Sequence, residues 1–285
     1  MRFSWVFVAA LTLIAAASPS RASDFHSPRT AGLGGAGHAG PFINDALYLN
    51  PSFIPYLTAR SLGVNFEKFS GMQSPSGRIY NLSVQDGTAP LFQAGLGYTQ
   101  RDEGGLLTAG ASKSVVQRLG VGIGYKLWMQ GKDGKHSKGS DGTFSVTWLP
   151  TTWLQSALII DNLFKSKASA QRNAHREIIL GTKTNIMEML IIYFDPHWIP
   201  DNPDGQTFGH ELGIEIPVFS DFFLRLGQFS NAYQPFLYGL AEGLSSGLAW
   251  VAPKLSVDIA LTRVLHSSQG FQPATSFIFG ATIFF

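Results

Sequence analysis

The chain has 285 residues, of which 14% are charged, with 21 Lys and Arg against 19 Asp and Glu; a soluble domain carries about 25%. Aromatic residues make up 13%, glycine supplies 31 positions and cysteine none. This composition excludes a disulfide scaffold, a cysteine nucleophile, thiolate zinc sites and a lipid-modified N-terminal cysteine, and it argues against disorder and against an electrostatic nucleic-acid binder.

The N-terminus reads as an address. Arg2 precedes an apolar run from Trp5 to Ala17, and Ser20-Arg21-Ala22 offers small residues at the positions a signal peptidase reads. The apolar run is shorter than the ~20 residues a spanning helix needs, so residues 1–22 are expected to be a signal peptide cleaved after Ala22. No later stretch is long and apolar enough to span as a helix; the longest, Met189 to Phe194, is six residues. The chain is then secreted, periplasmic, or a β-barrel in an outer membrane.

Residues 23–58 do not alternate. They contain Ala31-Gly32-Leu33-Gly34-Gly35-Ala36-Gly37-His38-Ala39-Gly40 and then Asp45-Ala46 and Asn50-Pro51-Ser52. Gly32, Gly34 and Gly37 match the spacing of a dinucleotide fingerprint, but no strand precedes them and no βαβ unit follows, so that reading is rejected.

From residue 59 to 285 the dominant period is two, the mark of strands. In Leu119 to Gln130 the apolar set Leu119, Val121, Ile123, Tyr125, Leu127 and Met129 alternates with Gly120, Gly122, Gly124, Lys126, Trp128 and Gln130. A second clear run alternates Phe208, His210, Leu212 and Ile214 with Gly209, Glu211, Gly213 and Glu215. The runs approach the ~9–11 residues of a tilted membrane strand and exceed the ~5–6 of an ordinary one. The less apolar face is rich in Gly, Ala, Ser and Thr, which suits a filled lumen. Fourteen strands are expected, at about 61–70, 77–86, 91–101, 104–114, 118–131, 139–149, 153–163, 176–185, 187–195, 207–217, 220–229, 242–252, 254–264 and 275–285, with twelve as the alternative count. Short connections alternate with mostly longer ones, the pattern of periplasmic turns and outer loops. The last strand alternates and ends in Phe285, which looks like the signal read by the outer-membrane assembly machinery. The fold class is therefore all-β, a transmembrane antiparallel barrel preceded by an N-terminal segment.

Within the barrel, alternation places Glu211, Glu215 and Arg225 on the lumen face. A tight turn near Phe219 sets Arg225 opposite Gly213 and diagonal to both carboxylates, with Asp258 in range from two strands away. This polar cluster either holds the N-terminal segment or stiffens the wall. Seven histidines (26, 38, 136, 175, 197, 210 and 266) have no metal-ligand spacing, and the zincin-like start His210-Glu211 lacks a second ligand because position 214 is Ile. No metal, cofactor or catalytic residue is expected. Trp128, Trp148, Trp153, Trp198 and Trp250 read as an interfacial aromatic belt. Basic residues in loops 131–141 and 164–175 suit contact with lipopolysaccharide or plain solvation. Tyr233 to Tyr238 reads as an apolar lip for a hydrophobic ligand or a loop folded over the mouth.

The stretch GLGGAGHAGPFINDALYLNPSFI resembles the N-terminal hatch of the FadL-like outer-membrane superfamily of hydrocarbon and long-chain fatty acid transporters, with Ser52 where Ala is usual. HELGIEI, FFLRLGQF and GLSSGLAWVAPKLSVDIAL are similar to late strands of its shorter, PorV-like members. The resemblance implies a fourteen-strand barrel plugged by its own N-terminus, with Gly32, Gly34, Gly35, Gly37, Asn44, Asp45, Asn50 and Pro51 as hatch or gate residues. It also implies a place in the outer membrane of a Gram-negative bacterium, among outer-membrane lipids and lipopolysaccharide. Two functions follow from it. One is passive uptake of a hydrophobic, fatty-acid-like small molecule. The other is a non-transporting barrel that anchors a secreted or surface protein partner.

Overall fold

The computed structural model describes residues 25–71, 74–101, 104–129, 138–167, 169, 174–202, 205–237, 239–267 and 273–285. The expected signal peptide, and Lys132, Lys135, His136, Arg172 and Tyr238 of the loops singled out above, lie outside the described residues. Fourteen strands form one closed barrel in which every strand pairs with its sequence neighbours and β1 closes on β14. The first seven are β1 (Arg60–Gly71), β2 (Ser74–Asp86), β3 (Gln93–Arg101), β4 (Gly104–Val116), β5 (Leu119–Trp128), β6 (Gly139–Trp148) and β7 (Leu154–Asp161). The second seven are β8 (Glu177–Ile186), β9 (Leu190–Trp198), β10 (Phe208–Val218), β11 (Phe222–Gln234), β12 (Gly239–Ala252), β13 (Leu255–Ser267) and β14 (Ala274–Phe284). All pairings are antiparallel, so closure leaves no free edge.

The sheet is turned inside out relative to a soluble barrel. Val64, Leu82, Leu96, Ile123, Leu158, Leu180, Leu226, Leu248, Ile259 and Phe277 are exposed on its outer face. Asn81, Ser83, Thr99, Thr143, Ser145, Thr147 and Ser276 are buried on its inner face. That is the alternation required of a wall with lipid outside.

Three expectations are corrected. The hairpin β10–β11 is closed by Phe219, Ser220 and Asp221, so Val218 pairs with Phe222 and Arg225 faces Glu215 directly, not Gly213. Centring the turn on Ser220 instead of Phe219 moves the register by two residues and so preserves the face while changing the partner. Strand β9 runs on through Pro196, which points outward where its missing N–H leaves a gap in the ladder with β8. Trp128 is not in the aromatic belt: it is 4% exposed and packs with Leu106 and Ala174, whereas Trp148 and Trp153 are more than half exposed. Trp128 shares the inward phase of Gly120, Gly122 and Gly124, and phase decides its direction.

Strands β11 and β12 also run five and three residues further into the long-loop end than their patterning indicated. The loop between them shrinks to residues 235–238, and Tyr233, Phe236 and Leu237 turn inward and are buried. Phe25, Phe69, Ile79, Phe229, Phe236, Leu237 and Val264 form an apolar cluster that caps this end of the lumen. Phe69 and Phe236 meet with ring centroids 5.6 Å apart, and Arg101 Nη1 donates to the Pro235 carbonyl at 2.8 Å to hold the loop down.

Candidate functional site

Residues 25–57 lie against the lumen face of the wall and are largely buried. Helix α1 (Pro28–Gly32) starts at Ser27, whose hydroxyl accepts the Thr30 N–H at 3.2 Å, with Pro28 preset for the first turn. Helix α2 (Asp45–Leu49) leads into a 3₁₀ helix over Pro51–Tyr56. Helices this short are marginal alone, so the wall must supply their stability.

Wall glycines admit the segment's backbone. A Cβ on Gly227 would lie 2.1 Å from the Gly34 nitrogen and 2.2 Å from the Leu33 carbonyl carbon. One on Gly122 would lie 2.3 Å from the Ser52 nitrogen. No side chain fits at either position without moving backbone. Within the segment, Gly34, Gly35 and Gly37 have φ of 74°, 100° and 129°, a region other residues rarely adopt, and this lets the chain reverse beside the wall.

Three polar groups of contacts join segment to wall. The first is a chain of alternating charge. Arg29 Nε donates to Glu215 Oε2 at 3.2 Å, and its Nη2 donates to the Tyr193 hydroxyl at 2.6 Å and to Glu215 Oε1 at 3.3 Å. Arg225 Nε donates to Glu215 Oε2 at 2.7 Å, and its Nη1 donates to Asp258 Oδ1 at 2.5 Å. Arg225 reaches diagonally across β12, where its own partner Gly247 has no side chain, to Asp258, which stands opposite Ala249. On the segment side Arg29 Nη1 is 3.9 Å from Asp45. Burial raises the Asp45 carboxyl to about 6, against the pull of Arg29. Burial likewise lowers His26 to about 3, assisted by His38 and Arg101.

The second group centres on Asp195 of β9. Its Oδ2 accepts the Gly37 and His38 N–H groups at 2.7 and 2.9 Å and lies 2.8 Å from His38 Nδ1. The third is a row of amides and hydroxyls. Asn44 Nδ2 donates to the carbonyl and hydroxyl oxygens of Ser83 at 2.9 and 2.7 Å. Asn50 Nδ2 donates to the His38 carbonyl and to Thr147 Oγ1, both at 2.8 Å. The Ser52 N–H donates to Ser145 Oγ at 3.0 Å. Between segment and wall, among Phe25, Arg29, Asn44, Tyr48, Asn65 and Asp258, lies a cavity of about 20 Å³. That is room for a single water.

The structure therefore brings Glu215, Arg225 and Asp258 together with Asp45, while Glu211 stands apart from them, beside His38. Gly34, Gly35, Asn44 and Asn50 touch the wall, as does Gly32, which meets Gly247. Pro51 packs its ring toward Gly110 and Gly124. Four residues that sequence reasoning left out are central here: Arg29, His38, Tyr193 and Asp195. Tyr193 and Asp195 share the inward phase of β9 and were legible in principle. Arg29 lies in a non-repeating stretch where no periodicity marks its direction.

No protein-family model matches the chain, and no curated protein matches it. Solved structures do. The chain is similar to CymD, described as a monoaromatic hydrocarbon channel, with TM-score 0.66 and 12% identity over 93% of this chain and 98% of that one. It is similar to the Ralstonia pickettii toluene transporter TbuX, with TM-score 0.62 and 11% identity over 92% and 99% of the two chains. A Pseudomonas aeruginosa FadL homologue also matches, with TM-score 0.62 and 11% identity over 94% and 99%. The fold is that of the FadL-type outer-membrane barrel, along essentially its full length.

Proposed function

We propose that the chain is an outer-membrane channel for passive entry of small hydrophobic molecules, with residues 25–57 as a plug that must loosen for passage. The observation that carries the reading is the apolar cap at the long-loop end, where Phe25 of the plug packs with Phe69, Phe236 and Leu237 of the wall and its loop. A hydrocarbon entering there exchanges one apolar contact for another and needs no desolvation of polar groups. The likeness to CymD, a monoaromatic hydrocarbon channel, and to TbuX, a toluene transporter, supports the same solute class. Export by the N-terminal signal, assembly through Phe285 and contact of the basic loops with lipopolysaccharide belong to this reading. No chemistry is required, so no residue is assigned a catalytic role.

The test uses the absence of native cysteine. Ala31 of the plug and Ala260 of the wall are packed together, so Ala31→Cys with Ala260→Cys gives a reversible staple. Proteoliposomes carrying this variant are expected to take up radiolabelled toluene when reduced and to lose that uptake when oxidised. Equal uptake in both states, with the cross-link verified by mass spectrometry, rules the plug out as the gate.

A further inference from the structure

We infer that His38, Asp195 and Glu211 form a binding site for a divalent transition-metal ion, of the zinc class, that bridges plug and wall. His38 belongs to the plug, and Asp195 and Glu211 face each other directly across β9 and β10. All three side chains are at least nine-tenths buried. Two carboxylates held opposite one another in a dry wall repel unless a cation or a proton lies between them. The carboxylates do not share the available donors. Asp195 takes both backbone N–H groups of the plug turn on Oδ2 and the Thr182 N–H on Oδ1. Glu211 Oε2 is buried without a hydrogen-bond partner and is directed at His38 Nδ1, 3.7 Å away. A buried, unpartnered carboxylate oxygen is costly and calls for a positive ligand.

His38 Nδ1 and Asp195 Oδ2 stand at hydrogen-bond distance, 2.8 Å, and Glu211 Oε2 beside them is the oxygen left for an ion to bind. One ligand atom from each of His38, Asp195 and Glu211 lies within 4.8 Å of the other two, and His38 Nδ1 itself is 2.8 Å from Asp195 Oδ2 and 3.7 Å from Glu211 Oε2. One nitrogen and two oxygens leave a fourth position for water or for the second Glu211 oxygen. This donor set favours zinc, cobalt or nickel over magnesium or calcium, which prefer all-oxygen shells. The plug backbone is shaped around the group: a Cβ on Gly35, at φ 100°, would meet Glu211 Oε1 at 2.5 Å. The ligands come from three places in the chain and have no sequence spacing, so no motif announces them. An ion held by all three ties the plug turn at Gly37-His38 to β9 and β10. Its binding does not depend on what passes through the barrel.

The test is a titration of the refolded mature chain in detergent, freed of metal with a chelator. Zn²⁺ is followed by calorimetry, and Co²⁺ is followed by its visible absorption. One equivalent of Zn²⁺ and a Co²⁺ spectrum of low-coordinate type are expected. His38→Gln and Glu211→Gln, which keep shape and hydrogen bonding, are each expected to weaken binding at least ten-fold. His266→Ala, at an exposed histidine 4.0 Å from Glu242, is expected to leave it unchanged. Absence of saturable Zn²⁺ binding to the unmutated chain overturns the proposal, and this result does not depend on how any variant folds. Binding that survives both glutamine substitutions, or that His266→Ala removes, also overturns it.

Discussion

Arg29→Met tests whether the charge chain holds the plug. The substitution keeps an apolar stem of similar length and removes the guanidinium that bonds Glu215 through two nitrogens and Tyr193 through one. Removing one partner of a buried pair costs about 3–5 kcal/mol, because the other charge is left without it. Glu215 retains Arg225 at 2.7 Å, so the low end of that range applies, about 3 kcal/mol. At about 1.4 kcal/mol per decade this is roughly a hundred-fold rise in the population of undocked plug. The chain lacks cysteine, so a single reporter is clean. Ala36→Cys places a thiol in a fully buried position against Leu33 and Tyr193. Its maleimide labelling rate is proportional to the undocked fraction when re-docking is fast. Arg29→Met in the Ala36→Cys background is expected to label roughly a hundred-fold faster than that background alone. Adding Glu215→Gln is expected to recover part of the loss, since the two residues couple. An unchanged labelling rate, or strict additivity of the two substitutions, refutes the reasoning.

Three further outcomes are expected. Gly227→Val drives its side chain into the Leu33–Gly34 backbone, which must retreat by about 1 Å or more to restore ordinary contact. Hydrogen exchange at residues 30–37 should accelerate while the barrel keeps its heat-modifiable mobility on gels. Asp45 and His26 oppose one another in pH. The docked plug holds the extra proton on Asp45 between pH 3.8 and about 6, so docking weakens as pH rises through that window. The undocked plug holds the extra proton on His26 between about 3 and 6.5, so docking weakens as pH falls through that one. Relative to the unmutated chain at each pH, Asp45→Asn should therefore lose docking on acidification and His26→Gln should gain it, both read from the Ala36→Cys label. Trp128→Ala should lower unfolding stability by about 3–5 kcal/mol in urea titrations, whereas Trp148→Ala, on the outer face, should cost far less.

The wall was more legible than the plug because a strand's phase is a two-valued quantity. Once Leu119, Val121 and Ile123 are outside, Gly120, Lys126 and Trp128 have no choice. The inward placement of Glu211, Glu215, Arg225 and Asp258 follows in the same way. Cross-strand partners needed one more fact, the number of residues in the turn. Centring the turn on Phe219 where the chain centres it on Ser220 moved Arg225 from Glu215 to Gly213. In the plug nothing repeats, so glycine content announced tight turns but not where they point. Arg29 and His38 acquire their meaning only from Glu215 and Asp195, more than 150 positions away along the chain. Wall glycines such as Gly227 and Gly122 read in the sequence as neutral small residues of a lumen face. Their role is set by the backbone that lies on them.

Plug and cap contacts differ in what can replace them, and in the proposed channel this separates gating from solute entry. The Arg29–Glu215–Arg225–Asp258 chain can be released only to water or to other charges. The contact of Phe236 with Phe69 can be released to any apolar molecule of similar size. Phe236→Ala removes a buried ring that is 3% exposed, at about 3–5 kcal/mol, and leaves a cavity lined by Phe25, Phe69 and Leu237. A dry apolar cavity of that kind binds benzene. Phe236→Ala is therefore expected to lower thermal stability and to regain part of it in saturating benzene. A benzene-dependent rise is not expected for Arg29→Met, whose lesion is ionic. Toluene uptake by Phe236→Ala should change while Ala36→Cys labelling without solute stays near the parent rate. If benzene stabilises neither variant or both alike, the cap is not the apolar contact through which solute enters. If Phe236→Ala alone speeds labelling as much as Arg29→Met does, cap and charge chain are one cooperative unit, and entry cannot be separated from release of the plug.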